Sequence, residues 1–196
     1  MTTDALALDA LVHRREAGEP LEWITQAVEF CGRRLNIEPG VYVPRPQTEE
    51  LARRAATALP SHGAAADLCT GCGAVAAHLR HERQGATVVG VDIDPAAVAV
   101  ARSNGVDAVV GDLDRPLAGG RFDVVTAIAP YVPTAAIRLL PADVQRWEPR
   151  RALDGGEDGL ALVRRVVAGA ARLLRPGGSL FLEVGNDHHL SLDTEW

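Results

Sequence analysis

The chain has 196 residues, of which 47% are hydrophobic and 23% charged. These are ordinary globular proportions, which exclude wholesale disorder, and the length allows a core without disulfide or metal staples. The net charge of −6 argues against nucleic-acid binding through a broad basic face, and no apolar run approaches the roughly 20 residues that span a bilayer. The opening Met1-Thr2-Thr3-Asp4-Ala5 lacks the basic-then-apolar layout of a signal peptide, so a soluble, cytoplasmic protein is expected.

Residues 4–17 carry Leu6, Leu8, Leu11 and Val12 at roughly helical spacing, and Gly18-Glu19-Pro20 reads as the stop. Residues 21–28 fit a short second helix. Residues 30–43 read as two short strands joined at the turn signal Glu38-Pro39-Gly40. Pro44-Arg45-Pro46 is a rigid link, because both prolines fix φ and forbid helix, and Thr48 is placed as the N-cap of a helix over residues 49–59. From residue 64 short apolar runs (64–68, 87–91, 108–110, 122–128, 179–184) alternate with helical stretches (74–83, 95–103, 159–174). Apolar strands, mostly uninterrupted by charge and separated by amphipathic helices, mean a parallel sheet covered on both faces. An α/β, Rossmann-like doubly wound sheet is predicted, with ligand sites at the carboxyl ends of its strands. The expected division is a helical segment plus β-hairpin over residues 1–46, followed by the Rossmann-like domain over 47–196.

The stretch Asp67-Leu68-Cys69-Thr70-Gly71-Cys72-Gly73-Ala74 ends the first strand of that sheet, and its two glycines allow a tight turn and close ligand approach. Asp92 ends the next strand, 21 residues after Gly71, where a carboxylate accepts hydrogen bonds from ribose hydroxyls. Asp112 follows the third strand and is placed to face an adenine, with Leu113 packing on it. Gly71-Cys72-Gly73-Ala74-Val75-Ala76 satisfies the loose dinucleotide pattern. Asp67, however, would repel a pyrophosphate and pair with an ammonium group, so S-adenosylmethionine fits better than NAD. Three cysteines, an odd number, argue for free thiols. Cys69 and Cys72 have the spacing of metal and redox pairs, yet only Cys31 remains elsewhere and no histidine completes a set of four. They read as lining the cofactor loop. His188-His189 near the end reads as solvated.

Beyond the fourth strand the sequence becomes more specific. Glu19-Pro20-Leu21-Glu22-Trp23-Ile24, Val43-Pro44-Arg45-Pro46-Gln47-Thr48-Glu49, Ala129-Pro130-Tyr131-Val132-Pro133, Trp147-Glu148-Pro149-Arg150-Arg151-Ala152-Leu153-Asp154-Gly155-Gly156 and Arg175-Pro176-Gly177-Gly178 together resemble the N5-glutamine methyltransferases of peptide-chain release factors, in particular a paralogous side branch. The resemblance covers residues 18–185. It implies a class I, S-adenosylmethionine-dependent N-methyltransferase with a protein substrate. It also implies that Ile128, Ala129, Pro130 and Tyr131 form the acceptor-positioning motif, where the family carries Asn-Pro-Pro-Tyr. The family's Asn and the next backbone carbonyl accept hydrogen bonds from the glutamine amide and aim its nitrogen at the cofactor methyl. Ile128 accepts none, so weakened glutamine methylation is expected. Against the family's layout, the stretch before Glu19 is short for a helical substrate-gripping domain, and nothing after residue 184 provides the last two strands of the sheet. Marginal stability or self-association through an open edge is the corresponding expectation. Two further readings are a degenerate, non-catalytic cofactor-binding module and a nucleic-acid amino-group methyltransferase. The acidic balance weighs against the latter.

Overall fold

The computed structural model describes residues 3–185, with side chains from residue 7 onward. The expectations for His188-His189 and for the final stretch therefore lie outside the described residues. Helix α1 (Thr3–Glu16) ends at Gly18, whose φ of +87° favours glycine, and α2 (Leu21–Thr25) follows. Strands β1 (Ala27–Phe30) and β2 (Arg33–Asn36) pair antiparallel, Phe30 opposite Arg33. Helix α3 (Thr48–Ala58) then leads into the main unit: β3 (Ala64–Leu68), α4 (Ala74–Glu82), β4 (Thr87–Asp92), α5 (Pro95–Ser103), β5 (Asp107–Val110) and β6 (Phe122–Ala127). Helices α6 (Ala142–Trp147) and α7 (Ala161–Leu173) precede β7 (Leu174–Leu182).

The five strands form a parallel sheet in the order β5-β4-β3-β6-β7. The order reverses at β3, as a doubly wound sheet requires. Alternate strand residues face opposite ways. Ala65, Val88 and Val124 pack with α3, α4 and α5 on one side, while Ala66, Leu68, Val125 and Ala127 pack with Val166, Ala170 and Leu173 of α7 on the other. Trp23, Phe30, Leu35, Ile37 and Val41 join the first of these cores, so the hairpin and the sheet share buried apolar surface.

Four local expectations are corrected. The second helix stops at Thr25, because residues 27–30 are taken up in the hairpin ladder. The hairpin turns at Cys31-Gly32, both at positive φ (49° and 71°), the conformation whose twist suits a two-residue loop. Glu38-Pro39-Gly40 does turn, with the Val41 N–H donating to the Glu38 carbonyl at 3.1 Å, but after the hairpin has closed. Thr48 is the first residue of α3 rather than its side-chain cap, and its hydroxyl is committed elsewhere. Finally, β7 starts directly after α7 at Leu174, opposite Phe122, and its register shifts across residues 175–178 before Ser179 pairs with Val124.

Candidate active site

The carboxyl ends of β3, β4, β5 and β6 open into one cavity of about 750 Å³, walled also by residues of the 40–48 segment and of 128–154. At the end of β3 the Asp67 carboxylate is buried, accepting from the Thr70 hydroxyl at 2.6 Å and from the Thr126 hydroxyl at 2.7 Å. Burial pushes its carboxyl up to about 6, against the pull of those donors. The loop beyond it turns through positive φ at Cys69, Gly71 and Gly73. It is pinned to β4 twice: the Thr70 N–H donates to the Val91 carbonyl at 3.0 Å, and the Gly71 N–H donates to Asp92 Oδ2 at 2.8 Å. Gly90 makes room for this contact, since a Cβ there would sit 2.9 Å from Thr70 Oγ1.

Asp92 Oδ1 accepts from the Asp94 N–H at 2.9 Å, and burial raises its pKa. Each Asp92 oxygen thus has one backbone donor and spare lone-pair capacity at the cavity wall. Asp112 and Leu113 also line the cavity. The Asp112 carboxylate is held by Arg165 of α7 at 2.7 and 2.8 Å, and Leu113 is buried in a left-handed conformation. Gly73 does not line it. A Cβ there would meet Val106 Cγ2 at 2.9 Å and Ala101 Cβ at 3.0 Å, so Gly73 lets the loop pack on α5. Cys69 and Cys72 are free and line the cavity. Burial pushes both thiols up, Cys72 to about 12, so neither is a nucleophilic thiolate at neutral pH.

Ile128, Ala129, Pro130 and Tyr131 continue from β6 along the same cavity. They are stitched to the 153–156 stretch: the Val132 N–H donates to the Leu153 carbonyl at 3.0 Å, and the Gly155 N–H donates to the Val132 carbonyl at 2.8 Å. A Cβ on Gly155 would lie 2.8 Å from the Pro130 carbonyl oxygen, so only glycine permits this approach. The Arg45 guanidinium stacks 4.9 Å from the centre of the Tyr42 ring and pairs with the buried Glu148. Two of the sequence segments that carry the family resemblance are joined there. Arg151 reaches Asp94 at 2.6 Å. The wall carries Asp67, Asp92, Asp94, Asp112 and Asp154 against Arg45, Arg151 and Arg165, an acidic excess that suits a cationic ligand.

Sequence reasoning had given no role to Arg45, Glu148, Arg151, Arg165, Gly155 or Glu183. Arg45, Glu148, Arg151 and Gly155 stand in conspicuous motifs that signalled importance without partners. Glu183 lies inside the run over residues 179–184, before Val184, and gave no signal. Its carboxylate accepts from Thr48 Oγ1 at 2.7 Å and from the Tyr131 hydroxyl at 3.2 Å.

The doubly wound parallel sheet, with its cavity at the carboxyl edge of the strands, has the class I S-adenosylmethionine-dependent methyltransferase fold that solved methyltransferases share. A methyltransferase domain family matches residues 67–132. The chain is 44% identical over 186 residues to the release factor glutamine methyltransferase of Moorella thermoacetica, covering 90% of this chain and 65% of that protein. It is 38% identical over 204 residues to that of Burkholderia pseudomallei, covering 94% and 70%. The chain belongs to the release factor glutamine methyltransferase family. A relative of similar identity, 39% over 188 residues with 89% and 64% covered, is the 4-amino-L-phenylalanine/4-methylamino-L-phenylalanine methyltransferase of Streptomyces pristinaespiralis. Among solved structures, a 16S rRNA N2 methyltransferase of T. thermophilus in complex with AdoMet and guanosine shares the fold, with a TM-score of 0.58 and 24% identity over 86% of this chain and 37% of that one. The chain spans about 65% of the length of the first curated relatives it matches.

Proposed function

We propose that this chain is an S-adenosylmethionine-dependent N-methyltransferase, working in the cytoplasm on a protein acceptor of the release-factor type, with its selectivity altered at Ile128. The observation that carries the reading is the continuity of one cavity from Asp92 to Tyr131, which joins the nucleoside-type strand ends to the strand end after β6. Asp92 would hold the ribose hydroxyls, Leu113 the adenine face and Asp67 the ammonium group, and the acidic wall favours a ligand with net positive charge. When bound, the cofactor supplies an electrophilic methyl group on a sulfonium. The protein's share is positioning. By the family resemblance the backbone carbonyl of Ala129 would orient an acceptor nitrogen and Tyr131 would wall the group, both being residues of the cavity lining.

Ile128 offers no acceptor, so a primary amide lying there leaves an N–H without a partner, a costly arrangement in a desolvated site. An amine flanked by an apolar group loses nothing at that wall. This aliphatic side chain favours a second reading in which the acceptor is such an amine, and the Streptomyces relative is named for an aromatic amine substrate. Calorimetry with S-adenosylmethionine tests the cofactor. Labelled methyl transfer to a release factor, compared between the unmodified chain and Ile128→Asn, tests the acceptor. One regained positioned hydrogen bond should raise the rate at least about tenfold. Equal rates for the two proteins would refute the role given to Ile128. Binding without transfer by either protein would favour a non-catalytic cofactor-binding module.

A further inference from the structure

Behind the acceptor end of the cavity, one carboxylate ties together two walls that approach from different parts of the fold. Glu183 follows β7, and its backbone N–H donates to the Ala127 carbonyl at 3.2 Å, which fixes the residue beside the end of β6, one position before Ile128. From there Oε2 accepts the Thr48 hydroxyl at 2.7 Å and Oε1 accepts the Tyr131 hydroxyl at 3.2 Å. Thr48 and Tyr131 line the cavity, whereas Glu183 stands behind them. We propose that Glu183 is a positioning residue for the methyl acceptor, fixing the Tyr131 ring and the start of α3 relative to the strand end that presents Ile128 and Ala129.

The physical case is one of geometry. A tyrosine on an irregular segment keeps rotational freedom about its side-chain bonds, and Pro130 and Val132 restrain only the backbone on either side of it. A carboxylate held by backbone to the sheet gives the ring tip one fixed partner, and a charged acceptor makes that bond stronger than a neutral one. The same carboxylate spans to Thr48, so a shift of α3 and a shift of Tyr131 become coupled. Burial and the neighbouring Glu183 charge both raise the Tyr131 phenol, which keeps it a donor throughout the physiological range.

This inference rests on the methyltransferase reading for its consequence, but the coupling itself has an independent readout. The chain contains only two tyrosines, so labelling tyrosine with 13C at the ring carbon that bears the hydroxyl gives two resonances, assigned with Tyr131→Phe. The Tyr131 signal should move in Glu183→Ala and in Glu183→Gln by more than the Tyr42 signal does. In the acceptor assay Glu183→Ala should lower kcat/KM for the acceptor by about tenfold, as expected for a lost positioning contact. Calorimetric affinity for S-adenosylmethionine should stay within about twofold, because the strand ends that hold the nucleoside lie elsewhere in the cavity. Glu183→Gln, whose amide oxygen still accepts one hydroxyl, should regain part of the loss. In a Tyr131→Phe background Glu183→Ala should cost markedly less. An unmoved Tyr131 resonance in folded Glu183→Ala overturns the proposal, and so does an equal fall in cofactor affinity and acceptor kcat/KM. If the unmodified chain transfers no methyl group at all, the methyltransferase reading fails instead, and the resonance alone decides whether Glu183 positions Tyr131.

Discussion

Asp67 illustrates how a single residue would make the proposed cofactor site sensitive to pH. Its pKa in the folded chain, about 6, lies above the ordinary 3.8, so the protein binds a proton there that the unfolded chain has already released. The stability this contributes is complete below about pH 4 and is lost as pH rises through about 6. A bound ammonium group favours the charged form, so binding expels the proton. Affinity for S-adenosylmethionine should therefore rise about tenfold between pH 5 and pH 7, and Asp67→Asn should abolish that slope in calorimetry. Asp92→Ala removes both the proposed ribose acceptor and the partner of the Gly71 N–H, and should weaken binding by about 1.5–3 kcal/mol. Unchanged affinity in that variant would refute the assignment. Asp92 was legible in the sequence because a strand–helix–strand return fixes its spacing from Gly71. Glu183 was not, because its partners Thr48 and Tyr131 lie 135 and 52 residues away, and nothing local encodes such a meeting.

Elements whose residues repeat a simple pattern were read closely. β3 (Ala64–Leu68) and α5 (Pro95–Ser103) have the bounds that their apolar run and their Asp94-Pro95 start imply, and the Asp94 side chain accepts from the Ala96 N–H at 3.0 Å. The hairpin was misplaced because its turn uses Cys31 at positive φ, and cysteine is not a residue that signals a turn. Helix α6 and the 3-10 turns Thr134–Leu139 and Arg150–Ala152 are too short to display a period in the sequence, although Val144, Arg151 and Ala152 line the cavity. Gly73 shows a packing role that the sequence reading did not anticipate. The expected turn is there, yet the missing side chain serves the contact with α5. Gly73→Val forces a branched side chain into Ala101 and Val106 at a φ of +81°, and the overpacking and left-handed strain together should cost about 2–4 kcal/mol in a denaturant titration. A midpoint within error of the unmodified chain would show that the loop is free to move away from α5.

For the whole molecule, the doubly wound order and the position of the cavity followed from the alternation of apolar runs with helices, since ligand sites in such sheets lie at the carboxyl ends of the strands. The covering of the cavity did not, because it depends on long-range pairs such as Arg45 with Glu148 and Arg151 with Asp94. The two loop thiols also set a limit that concerns the fold and not the ligand. Unfolding returns Cys69 and Cys72 to an ordinary value near 9, while the folded chain keeps both protonated. Above about pH 9 the unfolded state alone releases these protons, so stability should fall by about 1.4 kcal/mol per pH unit for each thiol. With no lysine in the chain, the groups that titrate in that range are the cysteines and the two tyrosines, whose phenols burial also raises, and the cysteines act first because their ordinary value is lower. Replacing Cys69 and Cys72 with alanine should flatten the decline of the melting temperature between about pH 9 and pH 10.5, extending the protein's working range toward base without touching a charged residue.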